Sequence, residues 1–166
     1  MEQFSELAIR KLLDLGWDVA EASDDRELPA YFLNRYKWLP KEFLDFIACV
    51  DHAVSPDEQA WCVTKGELYG GSDSAFVWNQ WELDTLSVAS DDSDWQEEIT
   101  RFWDSHCPFI LSVKNGYYSH ISIRQGDSRL VAGSEPEFEE VSVVAGNLSD
   151  LVRLIDNNDK SISLYV

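Results

Sequence analysis

The sequence is poor in positive charge. Its 13 Lys and Arg stand against 31 Asp and Glu, a formal net charge of −18. Such a chain repels phosphate backbones, which argues against DNA or RNA as a direct ligand. An anionic membrane surface is disfavoured on the same ground. No apolar run approaches the roughly 20 residues that span a bilayer. The opening stretch MEQFSELAIRKLLDLGWD carries acids among its apolar positions and lacks the basic start and continuous apolar core of a signal peptide. Cysteine is scarce: Cys49, Cys62 and Cys107 are odd in number and have no paired spacing, as expected of reduced thiols. The expected compartment is the cytoplasm. No internal repeat or Pro/Gly/Ser linker divides the chain, and 166 residues suit one domain, 1–166.

Aromatic residues, by contrast, are abundant. They make up 13% of the chain and include seven Trp, which a disordered tail would not carry. Phe4, Leu7, Ala8, Leu12 and Leu15 recur at helical spacing, and Gly16 stands where a helix stops. The next stretch, DVAEASDDRELPAYF, is polar and interrupted by Pro29, and reads as a loop. A second helix is expected from Pro40, with Phe43, Phe46, Ile47 and Val50 on one face. Asp51, His52 and the Ser55-Pro56 pair should end it. Gln59–Val63 reads as a strand, while Gly66, Gly70 and Gly71 read as turns. Phe76–Trp81 fits either a short strand or the approach to a helix. The run ASDDSD, Ala89–Asp94, reads as a charged loop that caps a third helix, Trp95–Asp104.

Asn115-Gly116 lies between the β-prone runs Phe109–Val113 and Tyr117–Arg124. Asn-Gly there marks a hairpin, because both residues tolerate positive φ. A turn at Gln125–Ser128 and a strand at Arg129–Ala132 extend the hairpin to a meander. Glu137–Val144 is extended, Asn147 caps a helix at Leu148–Asp156, and Ile162–Val166 reads as a small edge strand able to pair between chains. The order predicts an α+β fold, a mostly antiparallel sheet covered by helices from both ends of the sequence. The expected state is a monomer or weak homodimer.

Chemistry finds little support in the residue pattern. Cys49-x-x-His52 and His106-Cys107 are the only close His/Cys pairs, too few for a metal, and His120 has no sequence partner. Adjacent His106 and Cys107 do not form a dyad, and Cys107, before Pro108 and an apolar run, reads as core. Tyr69-Gly70-Gly71-Ser72 lacks the lysine and spacing of a phosphate loop. No catalytic residue, cofactor or metal is expected, and a hydrolase is the least supported class.

The acids and tryptophans offer more. Trp17, Trp38 and Trp61 fall beside periodic apolar positions and read as core. Trp78, Trp81, Trp95 and Trp103 stand among acids between Asp73 and Asp104. They either fill a second small core or anchor a basic partner, with Trp78, Trp81, Glu82, Asp84, Asp91, Asp92 and Asp94 forming part of the contact. Glu135, Glu137, Glu139 and Glu140 form a second acidic rim, the competing location for that contact.

Three segments together resemble the SMI1/KNR4 (SUKH) family. They are WLPKEFLDFI at Trp38–Ile47, the hairpin FILSVKNGYYSHISIR, and SEPEFEEVSVVAGNLSDLVRLI at Ser134–Ile155. Two features depart from the family pattern: Val50-Asp51-His52 stands where Asn-Gly often closes the Leu-Pro helix, and the acidic insert Trp78–Trp103 is long. The resemblance implies a binding role over most of the chain. Bacterial members are often immunity proteins that block a secreted toxin, frequently a nuclease, while fungal relatives look like interaction scaffolds. The resulting expectation is a non-enzymatic domain that covers a basic, nuclease-like toxin; the alternative is an intracellular adaptor with no toxin partner.

Overall fold

The computed structural model describes residues 3–70 and 76–166. Four helices and three strands come first: α1 (Phe4–Asp14), β1 (Asp18–Glu21), α2 (Ala30–Arg35), α3 (Lys41–Cys49), β2 (Val50–Val54), β3 (Ala60–Cys62) and α4 (Lys65–Leu68). Two helices follow, α5 (Gln80–Val88) and α6 (Ser93–Ser105). The remainder is β4 (His106–Ser112), β5 (Ser119–Arg124), β6 (Leu130–Ser134), β7 (Glu137–Ala145) and α7 (Leu148–Asp156). The seven strands form one antiparallel sheet in the order of the sequence, β1 through β7. The class is α+β, as the order of elements predicts. Among the described residues no helix is long and apolar enough to cross a membrane.

The expected local devices are present. Gly16 has φ +82° after α1, a conformation open to glycine at little cost. Asn115 and Gly116 take φ 64° and 84° in the β4–β5 turn. Asp92 caps α6 by accepting from the Trp95 N–H at 3.0 Å, and Asn147 caps α7 by accepting from Asp150 at 2.8 Å.

β5 shows how the sheet is covered. Its side chains alternate between faces, yet Ser119 through Ile123 are all buried. Ile121 and Ile123 join the main core with Ala8 and Leu12 of α1, Phe43, Phe46 and Ile47 of α3, and Leu151 and Ile155 of α7. Phe109 meets the rings of Phe43 and Phe46 edge-on at 5.0 and 5.4 Å. His120 and Ser122 point to the opposite face. There Trp81, Ala89, Ile99, Trp103 and Phe138 form a second core under α5 and α6. From His120 to Arg124 polar and apolar residues alternate, yet the polar face is covered as well, so alternation here does not mark a solvent-facing side.

Several sequence expectations are corrected. The stretch DVAEASDDRELPAYF is not one loop: it opens with β1, which pairs with β2, and ends in α2. Its polar middle is fastened to α4, because the Lys65 ammonium reaches the Asp24 carboxylate and carbonyl, both at 2.8 Å, and Tyr69 donates to the Glu27 carbonyl. Hydrogen bonds from Arg26 and Lys65 hold the Asp24 carboxyl well below the usual range. The second helix passes directly into β2 at Val50. Gly66 lies inside α4, where a Cβ would sit 2.2 Å from the Asp51 carbonyl oxygen; the position demands closeness, not a turn. Of the two readings open for Phe76–Trp81, the approach to a helix holds: it leads into α5, although the apolar spacing of that helix does not announce it. Ile162–Val166 is not a strand. It follows a single 3-10 turn at Lys160–Ile162, and Ser112 Oγ donates to the Leu164 carbonyl at 2.6 Å. The predicted turn at Gly71, with Ser72 and Asp73, lies outside the described residues.

Candidate functional site

The acidic segment folds as the α5–α6 pair, and its packing divides the predicted contact residues. Trp78 and Trp81 are buried at 7% and 6% exposure, and Glu82 at 7%. Trp81 stacks on Tyr118 and packs against Trp103, His120 and Phe138. Trp78 packs on Tyr31, Phe32 and Tyr36. Both rings therefore fill a core, and neither is a surface anchor. Glu82 is turned inward to the Arg35 guanidinium, which it meets through both oxygens at 2.6 and 2.9 Å. Arg35 also reaches Asp104 at 2.8 Å, so one side chain of α2 ties α5 to α6. These three residues leave the predicted interface because a partner cannot reach them.

Asp84, Asp91, Asp92 and Asp94 remain exposed, as do Glu97 and Glu98 on α6. From residue 76 to 105 the only cation is Arg101. Among the described residues, Asp91, Asp94, Glu97 and Glu98 make no ion pair; Asp84 accepts from Gln80, and Asp92 is occupied in part as the cap. Three apolar side chains stand out of the same pair: Leu83 at 46% exposure, Val88 at 73% and Trp95 at 40%. Trp95 is the accessible tryptophan of the segment. It stands four residues before Ile99 and eight before Trp103, on the same side of α6, so helical phase does not mark it as exposed; its place in the first turn of the helix leaves it accessible. A shallow trough of about 480 Å³ runs along α6 between Ser93, Glu97, Thr100 and Asp104.

The second rim is also exposed but is built differently. Glu135 accepts the Tyr118 N–H at 2.8 Å, bridging the β6–β7 turn to the start of β5. Glu135, Glu137 and Glu140 edge a groove of about 380 Å³ floored by Ala132, Ser134, Ser142 and Tyr165, whereas Glu139 lies outside it. The two rims thus sit on different elements and are not joined into one cluster.

The residues weighed for chemistry are placed as structure. Cys107 and Cys62 are enclosed, and burial pushes both thiols up, away from nucleophilic thiolate. Cys49 ends α3 and donates to the Phe46 carbonyl, while His52 in β2 lies 3.3 Å from Asp18. His106 stacks on Phe102 at 4.1 Å. His120 is fully buried, and loss of solvent lowers its pKa to about 4. The Phe138 carbonyl, 3.1 Å from Nε2, can only accept; Nε2 therefore carries the proton and Nδ1 accepts from the Ser122 hydroxyl at 2.7 Å. Gly133 makes this possible, since a Cβ there would lie 2.7 Å from His120 Nε2 and 2.6 Å from the Phe138 oxygen. The enclosed space between Tyr36, Trp78, Trp81 and Trp103 is about 10 Å³, the size of one water. Among the described residues, no group of three or more His, Cys, Asp or Glu is placed to hold a metal ion.

No family model, curated protein or solved structure matches the chain. The functional reading therefore rests on the surface just described and on the three sequence segments.

Proposed function

We propose that this protein is a non-enzymatic binding domain that covers a basic protein partner with the exposed face of α5 and α6. The toxin class comes from the resemblance of its three segments: it would act as an immunity protein against a basic, nuclease-like toxin. One observation supports the location. Carboxylates with no cation partner among the described residues and the exposed side chains Leu83, Val88 and Trp95 occur together on one helical pair. A cationic surface seated there would pair with Asp91, Asp94, Glu97 and Glu98 while Trp95 supplies a desolvated anchor. The field of a chain with net charge −18 would draw that partner in. Occlusion of the partner's cleft is the whole mechanism; no bond is made or broken on this chain.

The test immobilises the tagged protein and exposes it at low salt to the lysate of its own cells, and separately to the product of the gene immediately upstream. A basic polypeptide should be retained one to one. Its association rate should fall steeply with salt, and should slow about tenfold when Asp91, Asp92 and Asp94 are all changed to Lys. An unchanged rate in that variant removes this face from the contact. Failure to retain any basic protein refutes the reading, and a partner encoded elsewhere would favour an adaptor.

A further inference from the structure

Asn79 is the N-cap of α5, yet its side chain accepts no N–H of that helix. Asp92 and Asn147, the caps of α6 and α7, each accept one, which is the ordinary use of such a residue at that position. Asn79 instead lines the enclosed space of about 10 Å³, which it shares with Tyr36, Trp81, Glu82 and Trp103. Pro108 and Leu111 of β4 close that space on the sheet side. Trp103 is 2% exposed, and among the described residues its indole Nε1 has no hydrogen-bond partner. A buried N–H without an acceptor is costly, and native proteins nearly always supply one. Glu82 has capacity to spare: each of its oxygens accepts one N–H from Arg35, and a carboxylate oxygen carries a second lone pair. The hydroxyl of Tyr36 is already engaged, donating to the Trp103 carbonyl at 3.0 Å.

We infer that this space is a site for one water molecule, which accepts from the Trp103 indole and donates to the Glu82 carboxylate and the Asn79 amide oxygen. The volume is that of one water and admits nothing larger. The polarity fits as well. A wholly apolar void stays dry, whereas a buried water is held by about three hydrogen bonds to polar groups, the number offered here. The bridge runs from α6 through the water to α5, beside the link that Arg35 makes between Glu82 and Asp104. It gives the indole proton an acceptor and accounts for an Asn that stands at a cap without capping. The inference does not rest on the proposed function: the water is held whether or not a basic partner covers the outer face.

Nuclear magnetic resonance on the isotope-labelled full chain tests it. The Trp103 indole proton, assigned by its loss in Trp103→Phe, should give a cross-peak to water with the sign of a water held by the protein, not of one exchanging over its surface. Among the described residues lining the space, Tyr36 carries the one hydroxyl, the group that could relay such a signal, so the cross-peak should persist in Tyr36→Phe. Asn79→Leu replaces the amide with an apolar branch of similar size and should remove the cross-peak while the indole resonance stays. A crystal structure of the wild type gives a second reading, with one water within about 3.2 Å of Trp103 Nε1, a Glu82 oxygen and the Asn79 amide. A wild type without the cross-peak overturns the inference, as does a cross-peak that vanishes in Tyr36→Phe or persists in Asn79→Leu. So does density that shows the indole bonded to a protein group, or a dry space.

Discussion

His120 gives this fold a measurable response to acid. The side chain is fully buried with both ring nitrogens engaged, against Trp81, Trp103 and Phe102. Its pKa stands at about 4 in the folded chain against a reference of 6.5. In the unfolded chain the imidazole binds a proton below pH 6.5; in the folded chain it stays neutral until about pH 4. Stability is thus complete above 6.5, falls between 6.5 and 4, and levels off below. A displacement of this size corresponds to about 3 kcal/mol, at about 1.4 kcal/mol for each pH unit. That is a large share of the stability of a domain this small. His106, also lowered by burial, adds to the same slope. The lowered carboxylates do not confuse the window, since groups such as Asp127, held at about 2 by Arg124, lose their contribution only below the ordinary carboxylate range. Urea unfolding of the wild type and of His120→Gln, measured at intervals from pH 7 to pH 4, is the assay. Gln keeps an amide donor for Phe138 and does not titrate, so the variant should begin less stable and lose about 3 kcal/mol less over the interval. Parallel pH profiles for the two proteins would refute the argument.

Two further outcomes follow from the packing. Gly133→Ala puts a methyl group against the Phe138 carbonyl and the His120 ring, neither free to move, and should cost about 2 kcal/mol in chemical denaturation. Arg35→Ala removes the partner of buried Glu82 and the link to Asp104; unfolding should become easier by about 3 kcal/mol, with partial recovery on adding Glu82→Gln, which removes the stranded charge.

The parts of the fold legible in the sequence are those set by near neighbours. Asn115-Gly116, the Asn147 cap and the i, i+3, i+4 spacing of Phe43, Phe46 and Ile47 each state their geometry locally. The parts that were not legible are decided at long range. β1 has a composition suited to a loop and becomes a strand because β2 pairs with it. α5 has little apolar phase, because Trp81 and Glu82 both turn inward, one to a ring cluster and one to Arg35. That same inward turn hides the contact residues: a carboxylate reads as surface until its guanidinium, 47 residues away in sequence, is known. Asp94, Glu97 and Glu98 of α6 were readable because, among the described residues, no remote cation claims them, unlike Asp104, which Arg35 reaches from α2.

Helices α1 and α7, the first and last in chain order, pack side by side and are joined by Lys11 and Asp156 at 2.5 Å. The sheet can grow strand by strand as the polypeptide emerges, since every strand pairs with its neighbour in sequence. The helical layer over Ile121 and Ile123 cannot close in that way: its seal waits for α7. A nascent or truncated chain without that helix would hold its strands and still present an open, greasy flank to the cell's quality-control machinery.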